Sequence, residues 1–253
     1  MVIILGVVLG AILGSFLATV AIRWPREDSA LRGRSACDGC GAPLAAYRLV
    51  PVISFVAQRG RAACCGMRID RLHPAGEIAG ALAGAAIAAA ASDPLTAVAG
   101  VVFGGLLLLL ALLDARHYWL PNPLTAALAL AGLGAGLLGL QPDLASRLIG
   151  GAAGYLLFAG VRLGYRHLRG REGMGGGDVK LFGAIGLWLG WQMLPLVLFG
   201  AAAAGLFWAL ILLATGRSLS GASRLPFGVF LALAAGGGWL ALEWTPMAAL
   251  VQP

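Results

Sequence analysis

The chain returns repeatedly to apolar stretches long enough to cross a bilayer. Residues 2–22, 74–91, 95–113, 123–140, 146–165, 192–214 and 227–251 each come close to the roughly 20 residues that a helix needs to span the hydrocarbon. A shorter stretch, 179–191, makes an eighth. In lipid each segment must satisfy its own backbone N–H and C=O groups, which a helix does internally. The expectation is therefore an all-α polytopic membrane bundle of about eight transmembrane helices. Composition agrees, with 11% charged residues and a mean hydropathy of +0.88, against roughly 25% charged residues in soluble domains.

The first segment begins MVIILGVV, without the basic residues that precede the core of a secretory signal, and reads as a retained anchor. Arginine and lysine are kept in the cytoplasm. With the N-terminus outside and eight spans, the cytoplasmic segments collect nine arginines between Arg23 and Arg71, then Arg116, the basic residues from Arg162 to Lys180, and Arg217 with Arg224. Of the eighteen basic residues only Arg147 falls outside. The net charge of +7 is then a topology signal and an attraction to anionic lipid, and no nucleic-acid partner is expected. Small residues four apart, as in GALAGAA and GLGAG, let helices approach closely in lipid.

Residues 23–73 break the apolar pattern. They are basic, hold all four cysteines, and fall on the cytoplasmic side, where structural disulfides are not expected. CDGCGAPL and AACCGMRI look like two copies of one short unit, with Cys40-Gly41 matching Cys65-Gly66. Two thiolates two residues apart grip one face of a tetrahedral zinc ion. Ala62 stands where the second copy lacks its first cysteine, and Cys64 adjoins Cys65 instead. Two adjacent cysteines on one ion are strained, yet Cys37, Cys40, Cys64 and Cys65 form the candidate zinc set. His73 is a possible substitute ligand, and a relic site without metal is the alternative.

Most of the eleven acids have simple explanations. Glu27, Asp28, Asp38, Asp70 and Glu172 lie among arginines, Asp93 and Asp143 occupy outer turns, and Glu243 lies near an outer helix end. Glu77 opens the second span, where a helix N-terminus favours negative charge. Asp114 in LLDARHYWLPN and Asp178 in GMGGGDVKLFG remain, both at a cytoplasmic membrane edge. Two aspartates sharing a site cannot both ionise cheaply. The charged one can take a proton from water attacking a peptide carbonyl while the neutral one donates. Gly175 and Gly177 keep side chains away and permit close backbone approach, and with Lys180 they form the supporting residues. The alternatives are that Arg116 neutralises Asp114 and that Asp178 caps a helix.

Over nearly its whole length the chain resembles the type IV prepilin peptidases, bifunctional leader peptidase/N-methyltransferases. The resemblance is carried by LGAILGSFLATVAIRWP, the cysteine loop, PAGEIAGAL, LLDARHYWLPN and GMGGGDVKLFGAIGLWLGWQ. It implies that Asp114 and Asp178 are the catalytic aspartates, and that a short basic leader is cleaved from prepilins or type II secretion pseudopilins at the cytoplasmic face of the bacterial inner membrane. It also implies methylation of the new N-terminus from S-adenosylmethionine. The expected division is an anchor and cysteine loop linked to methylation over 1–73, and a membrane-embedded peptidase over 74–253. Ala18 replaces the asparagine of the family's opening motif, and Ala62 replaces a cysteine. Other readings are a presenilin-like intramembrane protease, a transporter relaying protons through paired acids, and a non-enzymatic scaffold of a pilus or secretion apparatus.

Overall fold

The structure, a computed structural model, describes residues 1–26, 29–30, 34–171, 173–216 and 225–244. Glu27, Asp28, Arg32, Glu172, Arg217, Arg224 and the end of the last apolar stretch lie outside the described residues. Nine α-helices occur among those described: α1 (Val2–Arg23), α2 (Ile53–Ala57), α3 (Leu72–Ala90), α4 (Pro94–His117), α5 (Asn122–Leu137), α6 (Leu144–Arg169), α7 (Gly176–Leu189), α8 (Leu194–Ala214) and α9 (Phe227–Trp244). Every apolar stretch read from the sequence holds one of these helices, and the described residues contain no β-strand beyond two isolated bridges. Five helical segments, at α1, α4, α6, α8 and α9, are long and apolar enough to cross a membrane.

The helices fall into two compact units, Met1–Ala89 and Ala90–Pro253. In the first, α1 and α3 pack antiparallel along facing rows of glycine. A β-carbon on Gly6, Gly10 or Gly14 would strike the carbonyl oxygen of Gly84, Gly80 or Gly76, so the two backbones touch where side chains would otherwise hold them apart. Ala18, fully buried, continues the α1 row at the same four-residue spacing.

In the second unit α7 packs against α5, α6, α8 and α9. It is buried on nearly every face, through Val179, Leu181, Phe182, Ala184, Ile185, Trp188 and Leu189. A helix apolar all round belongs in such a position, and its 14 residues need not match the bilayer thickness because other helices surround it. Gly150 of α6 and Gly186 of α7 press backbone to backbone. Trp188 Nε1 donates to Leu128 O of α5 at 2.7 Å, and Phe158 stacks on Phe182 with centroids 4.2 Å apart.

Arg147, the exception to the charge rule, is 1% exposed. Its guanidinium donates to the carbonyls of Pro142, Gly132, Leu187, Trp188, Leu140 and Gln141 at 2.7–3.2 Å. Leu187 and Trp188 end α7, where unpaired carbonyls gather negative charge. The cation is held by this end of the bundle and is not a free surface charge. At the same end, Asp93 caps α4 by accepting from Leu95 N and Thr96 N, and Asp143 caps α6 by accepting from Ser146 N.

Candidate active site

Asp114 lies in the last turn of α4 and is 5% exposed. The helix stops three residues later because Tyr118 adopts a left-handed conformation, φ 51°, and donates its N–H to Asp114 O. That reversal turns Leu120 back towards the start of two other helices. A β-carbon on Gly177 of α7 would lie 2.8 Å from Leu120 Cβ, and one on Gly228 of α9 would lie 3.1 Å from Leu120 Cδ1. Asp114 Oδ2 accepts from Val229 N at 3.2 Å, and Gly228 lies directly against this carboxylate. The first turn of α9 therefore directs the Val229 N–H, shared with Pro226 O, towards Asp114.

Asp178 is the third residue of α7 and half-buried. Gly175, not Asp178, occupies the capping position. Gly175 lies beside the Asp178 carboxylate, where a β-carbon would sit 3.2 Å from Asp178 Oδ2. Leu120 packs against Gly177 at the start of α7 and against Gly228, which itself adjoins Asp114, so the end of α4 and the starts of α7 and α9 converge around the two carboxylates. Lys180 Nζ is exposed and donates to Asn122 Oδ1 at 2.6 Å, tying the first turns of α7 and α5 together. Two carboxyls flanked by small residues and backbone donors can hold a peptide bond, activate water and protonate the leaving amine.

Sequence reasoning did not find Leu120, Gly228 or Val229. The available signal was the glycine just inside the last apolar stretch, in RLPFGVF, whose partner lies 114 positions earlier.

The cysteine segment folds as two similar turns. Isolated bridges pair Ala36 with Pro43 and Arg61 with Arg68. Cys37 N donates to Ala42 O at 2.9 Å, as Ala62 N does to Met67 O at 2.8 Å, and Gly41 and Gly66 both have φ 72°. Ala62 thus occupies in the second turn the place of Cys37 in the first. All four Sγ atoms nevertheless lie within 4.8 Å of one another, with Cys37–Cys65 at 3.8 Å and Cys40–Cys64 at 3.4 Å. Tetrahedral coordination at Zn–S distances of about 2.3 Å needs thiolates about 3.8 Å apart, so the donor set fits zinc.

Burial opposes ionisation of Cys37, but the N–H groups of Cys40 and Gly39 and the thiols of Cys64 and Cys65 outweigh it and bring it down to about 7. Hydrogen bonding with Cys40, then with Cys37, pushes Cys64 up to about 12. One thiolate forms easily, and a cation would drive off the remaining protons.

His73 is not a member of this set. Its Nε2 lies 3.1 Å from Asp38 Oδ2, and Arg23 lies 3.4 Å from Asp38 Oδ1. The His73 hydrogen bond first, and the Arg23 charge after it, hold the Asp38 carboxyl below its usual range despite partial burial. Glu77, 6% exposed, accepts from Ser15 Oγ and Val52 N, both at 2.7 Å. It anchors the cysteine segment to α1, which its position at a helix start did not reveal.

Residues 101–210, which span both aspartates, match the type IV leader peptidase family, and residues 8–91 match the bacterial peptidase A24 N-terminal domain. A prepilin leader peptidase/N-methyltransferase of Aeromonas hydrophila is 36% identical over 83% of this chain and 71% of its own length. Proteins of the same name from Burkholderia pseudomallei strain 1026b and Pseudomonas aeruginosa are 41% and 35% identical, over 84% and 83% of this chain and 68% and 71% of theirs. The chain belongs to the type IV leader peptidase family. No solved structure matches it. Together the two family matches cover the cysteine segment and most of the helical bundle.

Proposed function

We propose that the chain removes the short basic leader from type IV prepilins, or from pseudopilins of type II secretion, at the cytoplasmic face of the bacterial inner membrane, and then methylates the new N-terminus. The observation that carries the peptidase reading is the convergence of Asp114 and Asp178, acids on different helices whose neighbours Gly228 and Gly177 both pack on Leu120. One carboxyl keeps a proton because two adjacent charges repel. The ionised carboxylate takes a proton from water as its oxygen attacks the scissile carbonyl. The protonated partner donates to the carbonyl oxygen and, as the C–N bond breaks, a proton passes to the leaving amine. Gly177 lets Leu120 close against the start of α7, Gly175 leaves room for the Asp178 carboxyl, and Lys180 with Asn122 ties the neighbouring helix starts together. Both acids lie at helix ends, which favours a peptidase for membrane-edge substrates over a transporter with acids at mid-helix.

When bound, S-adenosylmethionine supplies a methyl group to the newly freed amine. Cys37, Cys40, Cys64 and Cys65 would hold zinc, which would pin the two turns together and supply no step of peptide cleavage. The test is to incubate membranes containing the chain with a prepilin and follow loss of the leader and the mass of the mature N-terminus. A leader left intact overturns the peptidase reading. A processed but unmethylated amine overturns the methyltransferase part alone.

A further inference from the structure

Four of the five residues from Gly173 to Gly177 are glycine, the residue that leaves a backbone freest, yet this run leads straight into Asp178. What restrains it comes from other elements. Gly177 lies under Leu120, and a β-carbon on Gly173 would sit 2.5 Å from ring carbons of Tyr165. One on Gly176 would sit 3.0 Å from Arg162 Nη1 and 3.5 Å from its Cζ. Gly175, by contrast, has only the Asp178 carboxylate and the Gly177 nitrogen within 4 Å of the corresponding point. The run is covered at three points and open beside the acid.

Arg162 and Tyr165 share one face of α6 with Phe158, at the i, i+4, i+7 spacing of a helix. Phe158 is buried, stacks on Phe182 of α7 and tilts against Phe227 of α9 with centroids 6.2 Å apart. That face is therefore fixed to the two helices whose first turns meet the carboxylates. Gly176 is the first residue of α7, and its φ lies outside the left-handed region. Glycine here answers a lack of space, which the Arg162 guanidinium fills, and not a demand of the backbone. An apolar side chain from α6 could cover the glycine, but a planar guanidinium also offers five donors to main-chain carbonyls around it. We propose that Arg162 is a positioning residue of the aspartate site, which lays its guanidinium over Gly176 and holds the glycine run in the shape that presents Asp178. The inference rests on the reading that Asp114 and Asp178 cleave the leader. Arg162 acts through the run and not on the substrate, so its loss slows the bond-breaking step and leaves substrate affinity as it was.

The test uses the full chain in lipid nanodiscs and compares the kinetics of leader removal from a prepilin with hydrogen–deuterium exchange over residues 173–182. Arg162→Met keeps the stem and removes the guanidinium. It should lower kcat about tenfold, as small displacements of a catalytic group do, leave KM unchanged, and raise exchange over residues 173–178. Arg162→Lys should recover part of the rate. Gly176→Met should be slow because two side chains claim one space, and adding Arg162→Ala should restore most of the rate, a coupling that residues in contact show and distant ones do not. A normal kcat with unchanged exchange in Arg162→Met, a rise in KM alone, or a Gly176→Met defect that Arg162→Ala does not relieve would each overturn the proposal. If Gly176→Met does not fold, the rate and exchange of Arg162→Met still decide. If the unaltered chain removes no leader, the peptidase reading fails by itself. The exchange comparison then decides alone whether Arg162 holds the run, and an unchanged exchange overturns that as well.

Discussion

Gly228 of α9 lies so close to Asp114 of α4 that a β-carbon there would sit 2.8 Å from Oδ2. The same turn supplies the Val229 N–H that the carboxylate accepts. No side chain larger than hydrogen fits without moving an acid on which the proposed mechanism depends. Gly228→Ala is therefore expected to insert and fold but to cleave a prepilin about 10- to 100-fold more slowly, because displacements of about 1 Å have that cost in catalysis. Single-turnover leader removal on variants matched for membrane abundance measures this, and an unchanged rate would place the reaction away from Asp114.

Asp114→Asn and Asp178→Asn each keep the shape of the side chain but cannot accept a proton from water at neutral pH. Each is expected to abolish leader removal, and the double variant should be no worse than either single one because the pair acts as a unit. Asp93→Asn, at a helix cap far along the chain where asparagine caps equally well, serves as the control. Near-normal processing by either site variant would end the two-aspartate account.

Ala62 and Cys37 hold equivalent places in the two turns of the cysteine segment, yet Cys64 brings a fourth thiol to the cluster. The purified chain is expected to hold about one zinc, and Cys64→Ser should weaken its retention against a chelator as Cys65→Ser does. Moving the thiol back, with Cys64→Ala and Ala62→Cys together, should restore retention. Metal analysis after graded chelation reads all three, and full retention by Cys64→Ser would remove Cys64 from the site.

Arg147 satisfies six carbonyl groups from within the bundle. Arg147→Met fills much of the volume but leaves those acceptors without a donor, at a cost expected to exceed about 3 kcal/mol. Arg147→Lys should recover only part, since an ammonium has three donors and no planar fork. Thermal unfolding in detergent reports both, and a methionine variant as stable as the original would deny Arg147 its structural role.

The sequence by itself determined the eight apolar helices, though not α2, because a chain in lipid must close its own hydrogen bonds and apolar length decides where it does so. It placed α3, α5 and α7 as well as the five longer segments, the two cysteine units, and Asp114 and Asp178 as the acids lacking a simple role. It also marked Arg147 as the basic residue out of place, though not why. Tertiary structure decided what local pattern does not encode. Leu120, Gly228 and Val229 reach the carboxylates from separate helices, Cys64 swings into a place that Ala62 vacates, and Glu77 holds Val52 across 25 positions. Periodicity and composition report each segment's preference for lipid or water. Which side chains meet depends on packing between segments, set by facing rows of glycine and by buried groups that must find their partners elsewhere in the chain.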